Sequence, residues 1–219
     1  MPTSARTRSL LTWLPATILV VVIGLIVLAT FAVQGSWWAE DRPAASTDQK
    51  ASDGSSMLTD AGFDYVNVEG IVRVRIGDGA LPAADLGMPT DGDKSAEFRR
   101  PVRAVMAGGS DVYVVDDVAA LTAVTQSGAL ASVTLALDNP GTWSDAVNTV
   151  RALAPTYGWD SSQIDALDEG LAEYNRGDSA EPFIATVGPS VGGAAVTATL
   201  TFYPGSGATP VTLIFAPAS

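Results

Sequence analysis

Ala194-Ala195-Val196-Thr197-Ala198-Thr199-Leu200-Thr201-Phe202-Tyr203 alternates two kinds of side chain: Val196, Ala198, Leu200 and Phe202 against Thr197, Thr199 and Thr201. Successive side chains of a strand point to opposite faces, so a period of two describes a strand with one buried and one wet face. Pro204-Gly205-Ser206-Gly207 then supplies a turn, and residues 211–215 complete a terminal hairpin. Residues 183–187, just upstream, read as another strand.

Before those strands the period changes to that of a helix. Thr142-Trp143-Ser144-Asp145, following the turn Asn139-Pro140-Gly141, matches a capping box. Trp143, Val147, Val150 and Ala154 recur at helical spacing with Ala146 and Leu153, forming one apolar stripe. Pro155 weakens the last turn, and Gly158 is placed to end the helix with a left-handed cap. Ser162-Gln163-Ile164-Asp165 reads as a second capping box, and Ile164, Leu167, Leu171 and Tyr174 form the stripe of a helix that Gly177 stops. So short a connection implies an antiparallel pair of helices.

Further upstream, Val72, Val74 and Ile76 alternate with Arg73 and Arg75, the pattern of a half-buried first strand. Residues 101–107 and 111–115 flank Gly108-Gly109-Ser110 as a glycine-turned hairpin. Residues 120–125 and 131–137 flank Gln126-Ser127-Gly128 in the same way, with a helix over 117–125 as the alternative. Residues 81–95, rich in Gly, Pro and Asp, read as a disordered or surface-covering loop. Strands, then helices, then strands imply an α+β fold: an antiparallel sheet with a two-helix hairpin on one face, preceded by one N-terminal transmembrane helix.

That last element is the run from Leu10 to Val33, twenty-four residues without a charge. At the rise of a helix it spans about 36 Å, enough to cross a hydrocarbon core of about 30 Å. Arg6 and Arg8 make the short preceding flank basic, whereas Glu40 and Asp41 open the long following one, so residues 1–9 are expected in the cytoplasm and the remainder outside. Trp13, Trp37 and Trp38 stand where an interfacial aromatic belt would. A cleaved signal peptide is the alternative, but its apolar region is about 7 to 15 residues long. Residues 34–60 are small and polar, composition that does not offset the entropy of ordering, and read as a flexible stalk. Residues 61–219 are then the extracytoplasmic domain.

Two of the twelve basic residues precede the anchor, leaving ten against all twenty-four acids beyond it, a formal charge of −14. Such a surface argues against nucleic acid and anionic lipid headgroups as partners. The chain has no Cys and no His. Disulfides, thiolate zinc sites, Cys nucleophiles and the usual imidazole base are therefore excluded. Lack of both disulfides and an Asn-x-Ser/Thr acceptor suits a bacterial cell envelope.

Several stretches carry the letters of chemistry. Gly188-Pro189-Ser190-Val191-Gly192 matches a G-x-S-x-G nucleophile elbow, yet no His is available as base, the only lysines are Lys50 and Lys94, and a strand pattern follows. Gly188 and Gly193 have phosphate-loop spacing, but Ala194 and Ala195 stand where Lys and Ser or Thr are required. Asp91-Gly92-Asp93 starts like a calcium loop, with Asp78 and Asp85 nearby, but Ala96 and Val102 occupy the positions of the obligatory Gly and Glu. Asp165, Asp168, Glu169 and Glu173 offer paired carboxylates, and equally the wet face of a helix. Trp143, Tyr157, Trp159 and Tyr174 have the rings to stack a sugar, and read first as core. No catalytic, cofactor or metal residue is assigned. The expected function is that of an anchored binding domain whose partners are the bilayer, through residues 10–33, and an envelope or membrane protein; a carboxylate hydrolase and a secreted protein are the alternatives.

Overall fold

The computed structural model describes residues 49–138, 141–177, 179–189 and 192–218, together with 21–23, 26 and 46. Of the expected anchor, residues 21–23 and 26 are helical and exposed. The rest of it, the basic flank and most of the stalk lie outside the described residues, among which no helix is long and apolar enough to cross a membrane. The folded unit is α+β, with a mostly antiparallel seven-stranded sheet and few helices.

Its strands are β1 (Ile71–Ile76), β2 (Gly92–Gly108), β3 (Asp111–Gln126), β4 (Ala129–Leu137), β5 (Phe183–Val187), β6 (Ala194–Phe202) and β7 (Val211–Pro217), in the order β1-β2-β3-β4-β7-β6-β5. Alternation dictates their burial: Val72, Val74 and Ile76 in β1, and Val196, Ala198 and Leu200 in β6, are all closed to solvent. Every neighbouring pair is antiparallel except β1 with β2. That exception corrects the all-antiparallel expectation, and its cause is the connection between them, since parallel strands require the chain to cross back.

The crossing is made by the stretch expected to be a disordered or surface-covering loop. A 3-10 turn at Ala83–Leu86 buries Ala83 and Leu86, and Met88 follows them into the core. The Ala83 amide donates to the Gly128 carbonyl at 2.9 Å, and the Gly128 amide to the Thr90 carbonyl at 2.8 Å, which ties the segment to the β3–β4 turn. In that turn Ser127 and Gly128 both take positive φ, the geometry that continues the twist of a two-residue hairpin. Strand β3 is continuous there, so the helix considered over 117–125 is absent.

A helix that periodicity did not reveal, α1 (Asp60–Glu69), precedes β1, with the Thr59 hydroxyl accepting from the Gly62 amide and Gly70 in the left-handed cap. The fold begins before it. Ala51 and Leu58 are buried, the Ser56 amide donates to the Arg73 carbonyl at 2.7 Å, and the Ser56 hydroxyl accepts from the Arg73 amide. Residues 49–60, expected in the stalk, therefore cover the outer edge of β1, a service that a mostly polar segment performs through its backbone.

Helices α2 (Trp143–Tyr157) and α3 (Ser161–Tyr174) lie against one another, α2 also against β6 and α3 against β5. The Thr142–Asp145 capping box and the Gly158 left-handed cap form as expected. The second cap does not: Asp160 is the N-cap of α3, its carboxylate accepting from the Ser162 amide. Asp160 opens the helix two residues earlier than a cap at Ser162 would, and the helix ends at Tyr174 before Gly177.

The sheet is rolled. Although β1 is an edge strand, it touches β4 and β7, and at the opposite end the β2–β3 turn lies over the start of β6. Bulges between β2 and β3 and between β3 and β4 supply the bend in these long strands. Contact at the turn is backbone to backbone: a Cβ on Gly193 would stand 1.9 Å from the Gly108 carbonyl oxygen. Gly193→Ala is accordingly expected to cost about 3 kcal/mol or more in chemical unfolding, the upper range for overpacking. Gly205→Ala, whose Cβ meets nothing within 4 Å, should change stability by less than about 0.5 kcal/mol. Equal effects from the two would show that the turn and β6 do not meet.

Candidate functional site

The enzyme-like letters are taken up by structure. Ser190 and Val191 lie outside the described residues, but the segment they belong to leads from β5 into β6 and not into the helix that a nucleophile elbow needs. Gly188 donates its amide to the Gln163 side chain at 2.9 Å, and a Cβ there would meet the Val196 carbonyl oxygen at 2.7 Å, so this glycine is set by close packing against β6. Ala194 and Ala195, the positions a phosphate loop needs for Lys and a hydroxyl, open β6. Lys94 is paired with Asp60 at 2.7 Å.

The acids divide in the same manner. Asp91 accepts from the Ser127 amide at 2.7 Å and so caps the β3–β4 turn, while Asp78, Asp85 and Asp93 are exposed. Among the described residues no group of three acids is placed to hold a metal ion. On α3, Asp165 faces Arg151 at 3.7 Å, Asp168 accepts from the Trp143 indole at 2.8 Å, and Glu173 pairs with Arg176; Glu169 is exposed. These carboxylates form the wet face of the helix and its links to α2.

The aromatic residues hold the helices to the sheet in two clusters. Trp143 and Tyr174 surround Phe183, with ring centres 5.6 and 5.2 Å away, and Phe202 lies 6.4 Å from both. The Tyr174 hydroxyl closes this end on the carbonyls of Ser179 and Glu181. At the far end of α2, Tyr157 stacks near Trp159 at 4.8 Å and near Tyr113 at 5.6 Å, over Phe215. The Trp159 indole donates to the Val196 carbonyl at 2.9 Å. Burial raises the Tyr113 phenol above its ordinary value, and the Asp111 charge adds to it. Tyr157 is raised further by burial and then by Tyr113. Both remain neutral phenols at neutral pH.

One opening that the fold leaves among the described residues is a cleft of about 460 Å³ between α2 and the rim of β3 and β4. Its walls are Val114, Val115 and Leu137 from the strands and Leu153 from α2, with Asp116, Asp117, Asp138 and Thr149 around them. The bulge makes this arrangement. Val115 and Val118 are both buried, three residues apart, because β3 carries one residue more than β2 here, with Asp117 in the left-handed region at φ 56°. Two consecutive aspartates therefore face water, which an unbroken strand would not permit. The Asp138 amide closes the bulge on the Asp117 carbonyl at 2.7 Å. Asp116 pairs with Arg103 at 2.6 Å, whereas the Asp117 and Asp138 carboxylates have no hydrogen bond or ion pair with a described residue.

Comparison with protein families, with characterised proteins and with solved structures yields no match for this chain.

The Tyr157 hydroxyl is buried without a hydrogen-bond partner among the described residues. Removing it should be harmless or helpful, because an unmet buried hydroxyl costs about 1 to 3 kcal/mol. Tyr157→Phe is expected to match or exceed the parent in thermal unfolding. A loss above about 1 kcal/mol would reveal a partner for the hydroxyl in the native protein.

Proposed function

We propose that the chain is a single-pass membrane protein, cytoplasmic at its N-terminus, that presents an acidic binding domain outside the cell membrane of a bacterial envelope. The carrying observation is the uncharged run from Leu10 to Val33, set between a short basic flank and a long acidic one. In this reading residues 10–33 are the anchor, and α2 with α3 forms a hairpin on one face of the sheet. The open cleft suits a binding role, while Asp165 and Asp168 of α3 are engaged in structural contacts. A tether confines the domain to a shell at the membrane and raises its effective concentration for membrane neighbours.

Protease added to intact cells should remove the folded domain and leave a small membrane-held stub that retains Arg6 and Arg8. Protection of the domain until the membrane is opened would reverse the topology. Mature protein lacking the first thirty or so residues would replace the anchor with a cleaved signal.

A further inference from the structure

The cleft between α2 and the β3–β4 rim combines two kinds of surface that a folded chain usually keeps apart. Its walls are apolar, from Val114, Val115, Leu137 and Leu153. Beside the walls stand the Asp117 and Asp138 carboxylates, which pair with no cation among the described residues. The basic residues of the domain are concentrated on β1 and β2, where Arg73, Arg75, Lys94, Arg99 and Arg103 each face an acid. From Ala104 to the end of the chain, two basic residues stand against twelve acids. The cleft therefore opens in the acidic part of the sequence, where the summed field attracts cations and repels anions.

We propose that this cleft binds a cationic, apolar segment of a partner protein. The inference rests on the binding-domain reading above and gives it a site and a partner chemistry. Apolar side chains of the segment lie on Val114, Leu137 and Leu153, and a Lys or Arg reaches Asp117 and Asp138. A wholly apolar ligand would leave two carboxylates facing apolar surface without a counter-charge, and an anionic one would be repelled.

The test uses the full chain in uncharged detergent micelles and a fluorescent synthetic peptide of alternating Lys and Leu. Two control peptides carry Glu in place of Lys, or Ser in place of Leu. Saturable binding of the first peptide is expected, with both controls at least tenfold weaker. Asp117→Asn with Asp138→Asn should weaken the first peptide at least tenfold; Asn tolerates the left-handed φ of position 117, so the bulge is kept. Val114→Ser should weaken it severalfold. Glu169→Gln with Glu181→Gln removes the same charge elsewhere and should leave affinity within twofold; unfolding curves of all variants should overlay the parent. Equal weakening by the Glu169 and Glu181 pair would reduce the effect to net charge and overturn the site. Absence of saturable binding, or binding indifferent to Asp117, Asp138 and Val114, would overturn it as well. None of these outcomes alters the protease result, which decides the anchored reading separately.

Discussion

The approach of Gly108 to Gly193 is the constraint on which the rest of the domain depends. In the order of the sheet β2 and β6 are four places apart, and only a rolled sheet brings their ends together. Two glycines allow it, because any Cβ at either position would occupy space held by the other strand. The Gly193 amide, at 2.8 Å from the Asp111 carboxylate, fixes the approach with a charge-assisted bond. Tyr113 is thereby brought over Phe215 and against Tyr157, and the end of α2 is held to the sheet. The same roll carries β1 across to β4 and β7, so that Val72, Val74 and Ile76 complete a core that an open sheet would leave exposed on one side.

Much of this was legible where local chemistry decides structure. Strict alternation in β1 and β6 names the buried face of each, and Thr142 with Asp145 marks the start of α2 as Gly158 marks its end. The signals that failed were those that distant contacts override. Thr59 and Gly70 bracket α1, but its apolar residues are too few for a clear stripe, and the helix is held by Phe63 and Val66 against the rest of the core. Residues 81–95 have the composition of a free loop, yet three apolar side chains and two backbone bonds to the β3–β4 turn suffice to order much of their length. Nor does an alternating strand reveal whether its neighbour runs parallel, because that depends on the path of the connection.

The candidate site was legible only as an irregularity. Asp116-Asp117 interrupts the alternation of β3; the physical cause is a bulge that turns both carboxylates outward beside Leu137 and Leu153. The residues that lined up with catalytic letters are instead tied into packing, as Gly188 is under Val196 and Asp168 under Trp143. A spacing of letters along a chain carries no information about which groups already have partners, and partners decide what a side chain can do.

The roll of the sheet, on which both the core and the cleft depend, can be measured by a crosslink. A Cβ on Gly77, just past β1, would stand 3.8 Å from the Cβ of Pro217 at the end of β7, within the range a disulfide requires. Since the chain has no cysteine of its own, Gly77→Cys with Pro217→Cys introduces a single possible bridge. The positive φ at Gly77 makes the first substitution cost about 1 kcal/mol, small against the stability of a typical domain. A rolled sheet predicts rapid, nearly complete intramolecular crosslinking under mild oxidation of the folded protein, and little when denaturant is added first. Two free thiols persisting in the folded protein, or crosslinks only between molecules, would contradict it.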